Sequence, residues 1–256
     1  FLGYSYVPAP DTLFHGIKKL MPGEEMMLVN GKETFNQYWT CDISERWTGD
    51  VGNAKEQLDE LLKDSIKLQL ISDVPVGVFL SGGVDSSAIA SYAAEHRNGT
   101  PIDTFTIDFE GKKGKDAQFA SELSSQLGTN HHVITVDAQD QFDALEELIS
   151  LMDEPMSDSA IVPTYLLSKA AKEKGMKVLL SGAGGDEIFG GYSRHFPNKK
   201  FTAAWLSGLP HPARMISAHA LGYINPAHKI RLQKPSRNFA TNISGVNYAF
   251  LSEVLR

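Results

Sequence analysis

Cysteine is almost absent from this sequence, with Cys41 as the only one among 256 residues. A single cysteine cannot form an internal disulfide and leaves no CxxC pair for zinc, iron–sulfur or dithiol redox chemistry, so Cys41 is expected to be an ordinary packing residue. The chain also lacks the run of about 18 to 20 apolar residues that a bilayer-spanning helix needs, and its first ten residues show no signal-peptide pattern. These absences favour a reducing, cytoplasmic setting and no membrane partner.

Basic charge is also scarce, because 24 Lys and Arg face 31 Asp and Glu, for a formal net charge of -7. Binding to nucleic acid or anionic lipid depends on a basic field, which this chain lacks on average. We therefore expect no nucleic-acid partner, and any phosphate ligand must be held by local groups. Apolar residues make up 42% of the chain, which is enough for a full-sized core.

Apolar strands alternate with amphipathic helices along the middle of the chain. The predicted elements are a helix over 53–70, a strand over 74–80, a helix over 85–96, a strand over 102–109, a helix over 116–127, a strand over 132–136, helices over 139–151 and 160–174, and a strand over 177–180. This alternation is typical of an α/β fold in which a parallel sheet carries helices on both faces. Ahead of these elements, Asn30-Gly31 between two extended runs predicts a β-hairpin.

A loop of small and polar residues follows the strand at 74–80 and opens the next helix. Its sequence is Ser81-Gly82-Gly83-Val84-Asp85-Ser86-Ser87. The glycines let the backbone approach an anion closely, the helix N-terminus offers free amides, and the serines add hydroxyl donors. Asp85 would repel a bare phosphate, so its presence indicates a bridging cation, for which Mg²⁺ is the natural candidate. The loop is not a Walker A motif, because the chain contains no Gly-Lys-Ser/Thr. A tight turn whose polar residues cap the helix is the structural alternative.

A second glycine-rich loop, Ser181-Gly182-Ala183-Gly184-Gly185-Asp186, follows the strand at 177–180. It begins like a dinucleotide-binding G-x-G-x-x-G fingerprint, but Glu187 occupies the sixth position and the fingerprint fails. Ligands of parallel sheets bind beyond the carboxyl ends of the strands, where both loops are predicted to lie. We therefore predict that Asp85 and Asp186 share a Mg²⁺ ion that neutralises a leaving pyrophosphate, and we identify both as the metal ligands and catalytic residues.

Several strings resemble one known family. Residues 81–87 resemble the SGGxDSS signature of the PP-loop ATP pyrophosphatases, which cleave ATP between its α and β phosphates. Residues 179–192 resemble the SGEGxDExFGGY segment of glutamine-dependent asparagine synthetases, and residues 152–165 resemble their DEP-x-x-D-x-S...P-x-Y run. Residues 8–23 and 37–39 resemble the stretch that joins the two domains of that family. The sequence is therefore similar to the synthetase domain of asparagine synthetases.

The resemblance implies a PP-loop ATP pyrophosphatase fold and the reaction of that family. A carboxylate, with the aspartate β-carboxylate as the first candidate, attacks the α-phosphorus of ATP, pyrophosphate leaves, and ammonia displaces AMP to give the amide. The nucleotide-binding residues that the resemblance implies are Leu80, Ser81, Gly82, Gly83, Asp85, Ser86, Ser87, Ile107, Ser181 and Gly182. Leu80 and Ile107 would line the adenine site, and Ser181 and Gly182 would contact the AMP portion. ATP and Mg²⁺ are thus the expected cofactors.

Departures from the family pattern leave the acceptor open. Ala183 stands where the family usually has a Glu that is thought to assist ammonia attack. A similar adenylating enzyme with another acceptor, such as a β-lactam synthetase, a peptide cyclase or a sugar-modifying amidotransferase, is therefore an alternative, as is a nucleotide-binding remnant without catalysis. Asp108 also replaces a usual glycine after the strand residues 104–107, and 115–117 replace a common acidic pair.

The resemblance also suggests how the chain is organised. Residues 1–50 would form a β-rich inter-domain segment with the hairpin, 51–196 the PP-loop ATP-binding synthetase core, and 197–256 a mixed, mainly helical part of the same domain. Residue 1 is Phe, whereas the glutaminase domain of the family begins with a nucleophilic cysteine. We therefore expect ammonia to come from a glutaminase domain absent from this chain, which we interpret as a piece cut from a longer protein. A homodimer of that full-length protein is left open.

Overall fold

The computed structural model describes residues 1, 4–42, 44, 47–97, 99–111 and 115–192. The part predicted over 197–256 lies outside the described residues. Of the described residues, those within 1–42, 153–158 and 187–192 form one compact unit, here called the hairpin unit, and those within 43–152 and 159–186 form a second, the core unit. The domain boundaries that we placed at 50 and 196 stay predictions.

The hairpin unit contains the predicted β-hairpin. Strands β1 (Glu24–Val29) and β2 (Lys32–Gln37) pair antiparallel, with the register running from Glu24 opposite Gln37 to Val29 opposite Lys32. Asn30 and Gly31 have φ angles of 51° and 77°, and two consecutive positive φ angles are what the favoured two-residue hairpin turn requires. The hairpin prediction is confirmed. Cys41 is exposed, so our interpretation of it as a packing residue is wrong.

Glu154, from the DEP run, ties the segment 153–158 to the start of the hairpin unit. Its carboxylate accepts a hydrogen bond from the Leu13 amide at 2.9 Å and forms an ion pair with Lys19. The Lys19 ammonium also donates to the carbonyl of Val7 at 2.9 Å. The hydrogen bond from Lys19, followed by that from the Leu13 amide, lowers the pKa of Glu154. The structure therefore gives this motif residue a structural function within the hairpin unit.

We expect Glu154→Gln to lower the stability of the hairpin unit at neutral pH but not in acid. Because the pKa of Glu154 is lower in the folded state than its ordinary value of 4.5, its carboxylate stabilises the fold fully above that value and loses the effect as the pH falls through the folded pKa. The measurement is the unfolding midpoint of both proteins between pH 7 and pH 3. Glu33→Gln, on the exposed strand β2, is the matched control. The prediction would be contradicted if the unfolding midpoints of Glu154→Gln and the parent protein differed by the same amount over this whole pH range.

The core unit is built on a four-stranded parallel sheet. Its strands are β3 (Val76–Phe79), β4 (Asp103–Phe109), β5 (Asn130–Val136) and β6 (Val178–Leu180), in the order β5-β4-β3-β6. Its helices are α1 (Val51–Gln69), α2 (Val84–Glu95), α3 (Asp116–Leu127), α4 (Ala138–Leu151) and α5 (Ile161–Glu173), followed by the short α6 (Gly185–Phe189), which continues into the hairpin unit. Each helix and strand that we predicted between 53 and 180 is present, with ends that differ by a few residues at most.

The strand order explains why helices cover both faces of the sheet. The chain moves towards one edge from β3 through α2 to β4 and through α3 to β5, and then returns through α4 and α5 to β6, on the far side of β3. Parallel crossovers are right-handed, so this reversal places α2 and α3 on one face and α4 and α5 on the other. In agreement, α2 packs against α3 and α4 packs against α5. The predicted fold class, a parallel sheet with helices on both faces, is confirmed.

The centre of the sheet is also the centre of the core. The buried core cluster consists of Ile66, Val78, Leu80, Ala90, Ala93, Ile102, Ala120 and Leu180. Leu80 is 1% exposed and directly follows β3. The first glycine-rich loop therefore begins immediately after a buried core residue. Within the described part of the chain, no helix is both long enough and apolar enough to cross a membrane.

One detail of β5 differs from our prediction. The strand begins at Asn130 rather than 132, so His131 also lies within it, beside His132. The Nε2 atom of His132 lies 2.8 Å from Oδ1 of Asp103 on the neighbouring strand. The His132 ring stacks on Phe105 with 4.8 Å between ring centroids. The histidine doublet therefore joins β5 to β4.

Candidate nucleotide-binding site

The first glycine-rich loop joins β3 to α2 at the carboxyl end of a central strand, as predicted. Gly82 has a φ of 75°, in the left-handed region that favours glycine. A Cβ atom at Gly82 would also overlap the backbone oxygen of Asp116 and lie 3.2 Å from its carbonyl carbon. Both the backbone conformation and the close approach to α3 therefore require glycine at this position.

The N-terminus of α2 has no side-chain cap. Its N-cap residue, Gly83, has extended backbone angles and no side chain that could accept from the first amides. In the described residues, no other side chain replaces that cap, so amides of the first turn stay available to an anion. Free amides and the positive end of the helix dipole are the usual elements of a phosphate site.

Two of the predicted serines hold the loop in shape. The Oγ atom of Ser86 accepts from the Ser81 amide at 3.1 Å, donates to the Gly83 carbonyl at 3.2 Å and lies 2.9 Å from Oγ of Ser81. Ser86 is only 5% exposed, and its single hydroxyl proton is already used. We therefore assign Ser86 a structural function in the loop, and its predicted contact with phosphate stays a prediction.

The second glycine-rich loop lies against the first. Strands β3 and β6 are neighbours in the sheet, so the loops that follow them start side by side. A Cβ atom at Gly182 would lie 2.9 Å from the Ser86 amide nitrogen and 3.0 Å from Cβ of Asp85, and one at Gly185 would lie 2.5 Å from Cγ of Asp85. The Asp85 carboxylate thus contacts the residue that directly precedes Asp186. The two loops meet, whereas a metal shared by Asp85 and Asp186 stays a prediction.

The donor set at this junction suits Mg²⁺ bound together with a phosphate. Among the residues that the structure describes, no three His, Cys, Asp or Glu side chains are grouped so as to hold a metal unaided. Mg²⁺ commonly takes only one or two protein carboxylates and completes its shell with water and substrate phosphate oxygens. Carboxylates beside an uncapped helix N-terminus fit that pattern.

A cavity of about 280 Å³ opens next to the first loop, at the carboxyl ends of β3 and β4. Its lining residues are Phe79, Leu80, Ser81, Phe105, Ile107, Asp108, Phe109, Asp116, Ala117, Pro163 and Leu167. Leu80, Ser81 and Ile107 belong to the nucleotide-binding set predicted from the sequence, and the fold brings them together. A small, mainly apolar cavity with few polar groups is suited to a flat heterocycle.

The remaining predicted residues lie on the two loops rather than in this cavity. Gly83 and Ser87 belong to the start of α2, and Ser181 and Gly182 follow β6. The Oγ atom of Ser181 accepts a hydrogen bond from the Ala183 amide at 3.3 Å. The predicted set is thus divided between an apolar cavity and a polar junction of loops, with Ser81 at the boundary.

Sequence reasoning missed most of the apolar wall. Phe105, Ile107 and Phe109 occupy every second position of β4. Such residues point to the same face of a strand, so this spacing could have identified Phe105 and Phe109 as neighbours of Ile107. Pro163 and Leu167 come from α5, which the chain reaches only after three further elements beyond β4, namely α3, β5 and α4. Nothing local in their sequence marks them as lining residues.

Comparison with known proteins assigns the chain to a family. A family model described as asparagine synthase matches residues 57–248. The chain belongs to the asparagine synthase family. This confirms the resemblance that the motifs indicated.

Two similar relatives are longer than this chain. Glutamine-hydrolysing asparagine synthetase 1 of Bacillus subtilis is 34% identical over 194 residues, which cover 75% of this chain and 30% of that protein. A putative asparagine synthetase 2 of Methanocaldococcus jannaschii is 29% identical over 253 residues, or 95% of this chain and 49% of that protein. The chain therefore spans about a third to a half of the length of these relatives.

Among solved structures, an NH3-dependent NAD synthetase from Campylobacter jejuni matches over 73% of this chain and 95% of its own, with a TM-score of 0.39 and 13% sequence identity. That similarity is too low to support an inference about function.

Proposed function

We propose that this chain is the ATP-dependent, AMP-forming part of an amide ligase. A carboxylate attacks the α-phosphorus of ATP, pyrophosphate departs, and ammonia then displaces AMP from the acyl-adenylate to form the amide. One observation carries the proposal: within one compact unit, an apolar cavity and an uncapped helix N-terminus lie side by side and share Ser81. A nucleoside and its phosphates need these two environments next to each other.

Different residues bind the base, the pyrophosphate and the metal ion. Leu80 and Ile107 contact the base in the cavity, and the amides of the first loop hold the departing pyrophosphate. Asp85 and Asp186 hold Mg²⁺, which would neutralise the charge that develops on pyrophosphate. Gly182 and Gly185 assist by leaving room for the Asp85 side chain.

Carboxylate-dependent exchange of labelled pyrophosphate into ATP tests the adenylation step. Adenylation is reversible and needs no ammonia, so full-length protein should incorporate label when it is given the correct carboxylate, with aspartate tested first. ATP binding is measured in parallel, with and without Mg²⁺. ATP binding that is independent of Mg²⁺, combined with no exchange for any carboxylate, would favour a nucleotide-binding protein without catalysis.

Ala183 supports a second candidate, in which the adenylated carboxylate is not aspartate. On the aspartate hypothesis, Ala183→Glu restores a group that can assist ammonia attack, and we expect asparagine formation to rise about tenfold or more, since a positioned acid or base typically contributes about 10²- to 10⁴-fold. Ala183→Gln is the control, because it adds similar volume without a carboxylate. An unchanged rate of asparagine formation in both variants, with exchange intact, would favour a different acceptor.

A further inference from the structure

Asp108 is a charged residue in the wall of an otherwise mainly apolar cavity. It lies next to Ile107 near the end of β4, and the cavity also contains Asp116 at the start of α3. The cavity walls in the described residues include no Lys, Arg or His. The resemblance described above implies glycine at this position, so the carboxylate distinguishes this chain from the usual family pattern.

The Asp108 carboxylate has no partner within the described part of the chain. The Asp108 backbone pairs with Thr135 of β5, but no hydrogen bond or ion pair to the side-chain oxygens is formed by residues that the structure describes. The residue is half-buried. A carboxylate in such a place accepts hydrogen bonds only, and leaving it without a donor once a ligand excludes water would be costly.

The charge of the cavity also decides which end of a nucleotide can enter it. Two carboxylates in a wall whose described lining residues include no basic side chain repel a polyphosphate, whereas a neutral group that carries N–H or O–H donors is attracted. Ser81 belongs to both the cavity and the first loop. The nucleoside therefore enters the cavity, and the phosphates extend past Ser81 towards the N-terminus of α2.

We propose that Asp108 is a specificity-determining residue that accepts a hydrogen bond from the nucleoside of ATP, either from the exocyclic amine of the base or from a ribose hydroxyl. This inference rests on the proposed binding of ATP at this site and adds a residue that discriminates among nucleotides. Both donors are neutral and both belong to the part of ATP that the cavity admits.

The test measures equilibrium binding of ATP–Mg²⁺ and three analogues to the full-length protein and to Asp108→Gly and Asp108→Asn. The analogues are purine riboside triphosphate, which lacks the exocyclic amine, 2′-deoxy-ATP and 3′-deoxy-ATP. We expect Asp108→Gly to weaken ATP binding about 10- to 100-fold, as for loss of a hydrogen bond to a charged group. Asp108→Asn, which keeps one acceptor oxygen, should have a smaller effect and controls for local folding.

The analogues identify the donor. In the parent protein, the analogue without the relevant donor should bind more weakly than ATP by a similar factor, and Asp108→Gly should leave its affinity unchanged. The assignment of Asp108 would be overturned if Asp108→Gly weakened the binding of ATP and of all three analogues equally. It would also be overturned if Asp108→Gly left the affinity for ATP unchanged or increased it. Absence of ATP binding to the parent protein would instead overturn the proposed function, so the two failures are distinguishable.

Discussion

Asp85→Asn is expected to lower carboxylate-dependent ATP–pyrophosphate exchange by about 10²- to 10³-fold, the usual cost of removing one electrostatic contributor to a transition state. Asparagine has nearly the same shape as aspartate, so it can keep the contacts with Gly182 and Gly185. It lacks the negative charge with which Asp85 would hold Mg²⁺ against the pyrophosphate. The fold should therefore survive while the exchange rate falls, and raising the Mg²⁺ concentration should restore part of the rate.

Asp64→Asn is the matched control for this experiment. Asp64 is exposed on α1, and its substitution removes the same charge at a position outside both loops. We expect its exchange rate to equal that of the parent protein. Exchange by Asp85→Asn at the rate of Asp64→Asn, with the same dependence on Mg²⁺, would rule out a metal-binding function for Asp85.

Gly82→Ala is expected to weaken ATP binding by more than about tenfold, through the shape of the first loop. An L-residue pays about 1–2 kcal/mol in the left-handed conformation, and the φ of Gly82 is 75°. The added methyl group would also collide with the backbone of Asp116, which cannot move aside as a flexible side chain would. The loop must then leave its contact with α3, and the amides that would face the phosphates of ATP move with it. Equilibrium binding of ATP–Mg²⁺, combined with thermal unfolding, measures both effects.

Gly175→Ala separates the effect of the backbone conformation from the effect of the collision with α3. Gly175 has a similar φ of 84°, and a Cβ atom there would meet nothing within 4 Å. This variant should lose stability by about 1–2 kcal/mol from the backbone conformation alone and bind ATP normally. If Gly82→Ala bound ATP as tightly as Gly175→Ala, the contact between the first loop and α3 would have no part in shaping the site.

The hydrophobic pattern was enough to predict most of the secondary structure, because each element has a local cause in the sequence. Asn30-Gly31 supplies the positive φ angles of the hairpin turn, and the helix predicted over 116–127 matches α3, Asp116–Leu127. Periodicity says less about where a strand starts, which is why β5 begins two residues earlier than predicted. The first strand residues are polar or histidine, and their pairing with β4 decides that they are extended.

The motifs predicted where the candidate site lies but not the functions of its parts. Spacing placed both glycine-rich loops after strands, and the family followed from their residue types. The motif spacing did not show that the Ser86 hydroxyl donates its hydrogen bond inside the loop. It also did not show that Asp85 lies against Gly185. Those contacts depend on distances between atoms that are far apart in the sequence.

By itself, the amino-acid order of this protein determined the helices, the strands, the hairpin and the two glycine-rich loops, because each depends on residues within one turn or one strand. Tertiary structure alone decided that β6 pairs with β3, that the second loop therefore touches Asp85, and that Pro163 and Leu167 of α5 close the cavity beside Asp108. The reason is that strand order is set by how the whole chain buries its apolar faces. No local spacing encodes which distant strand will be a neighbour.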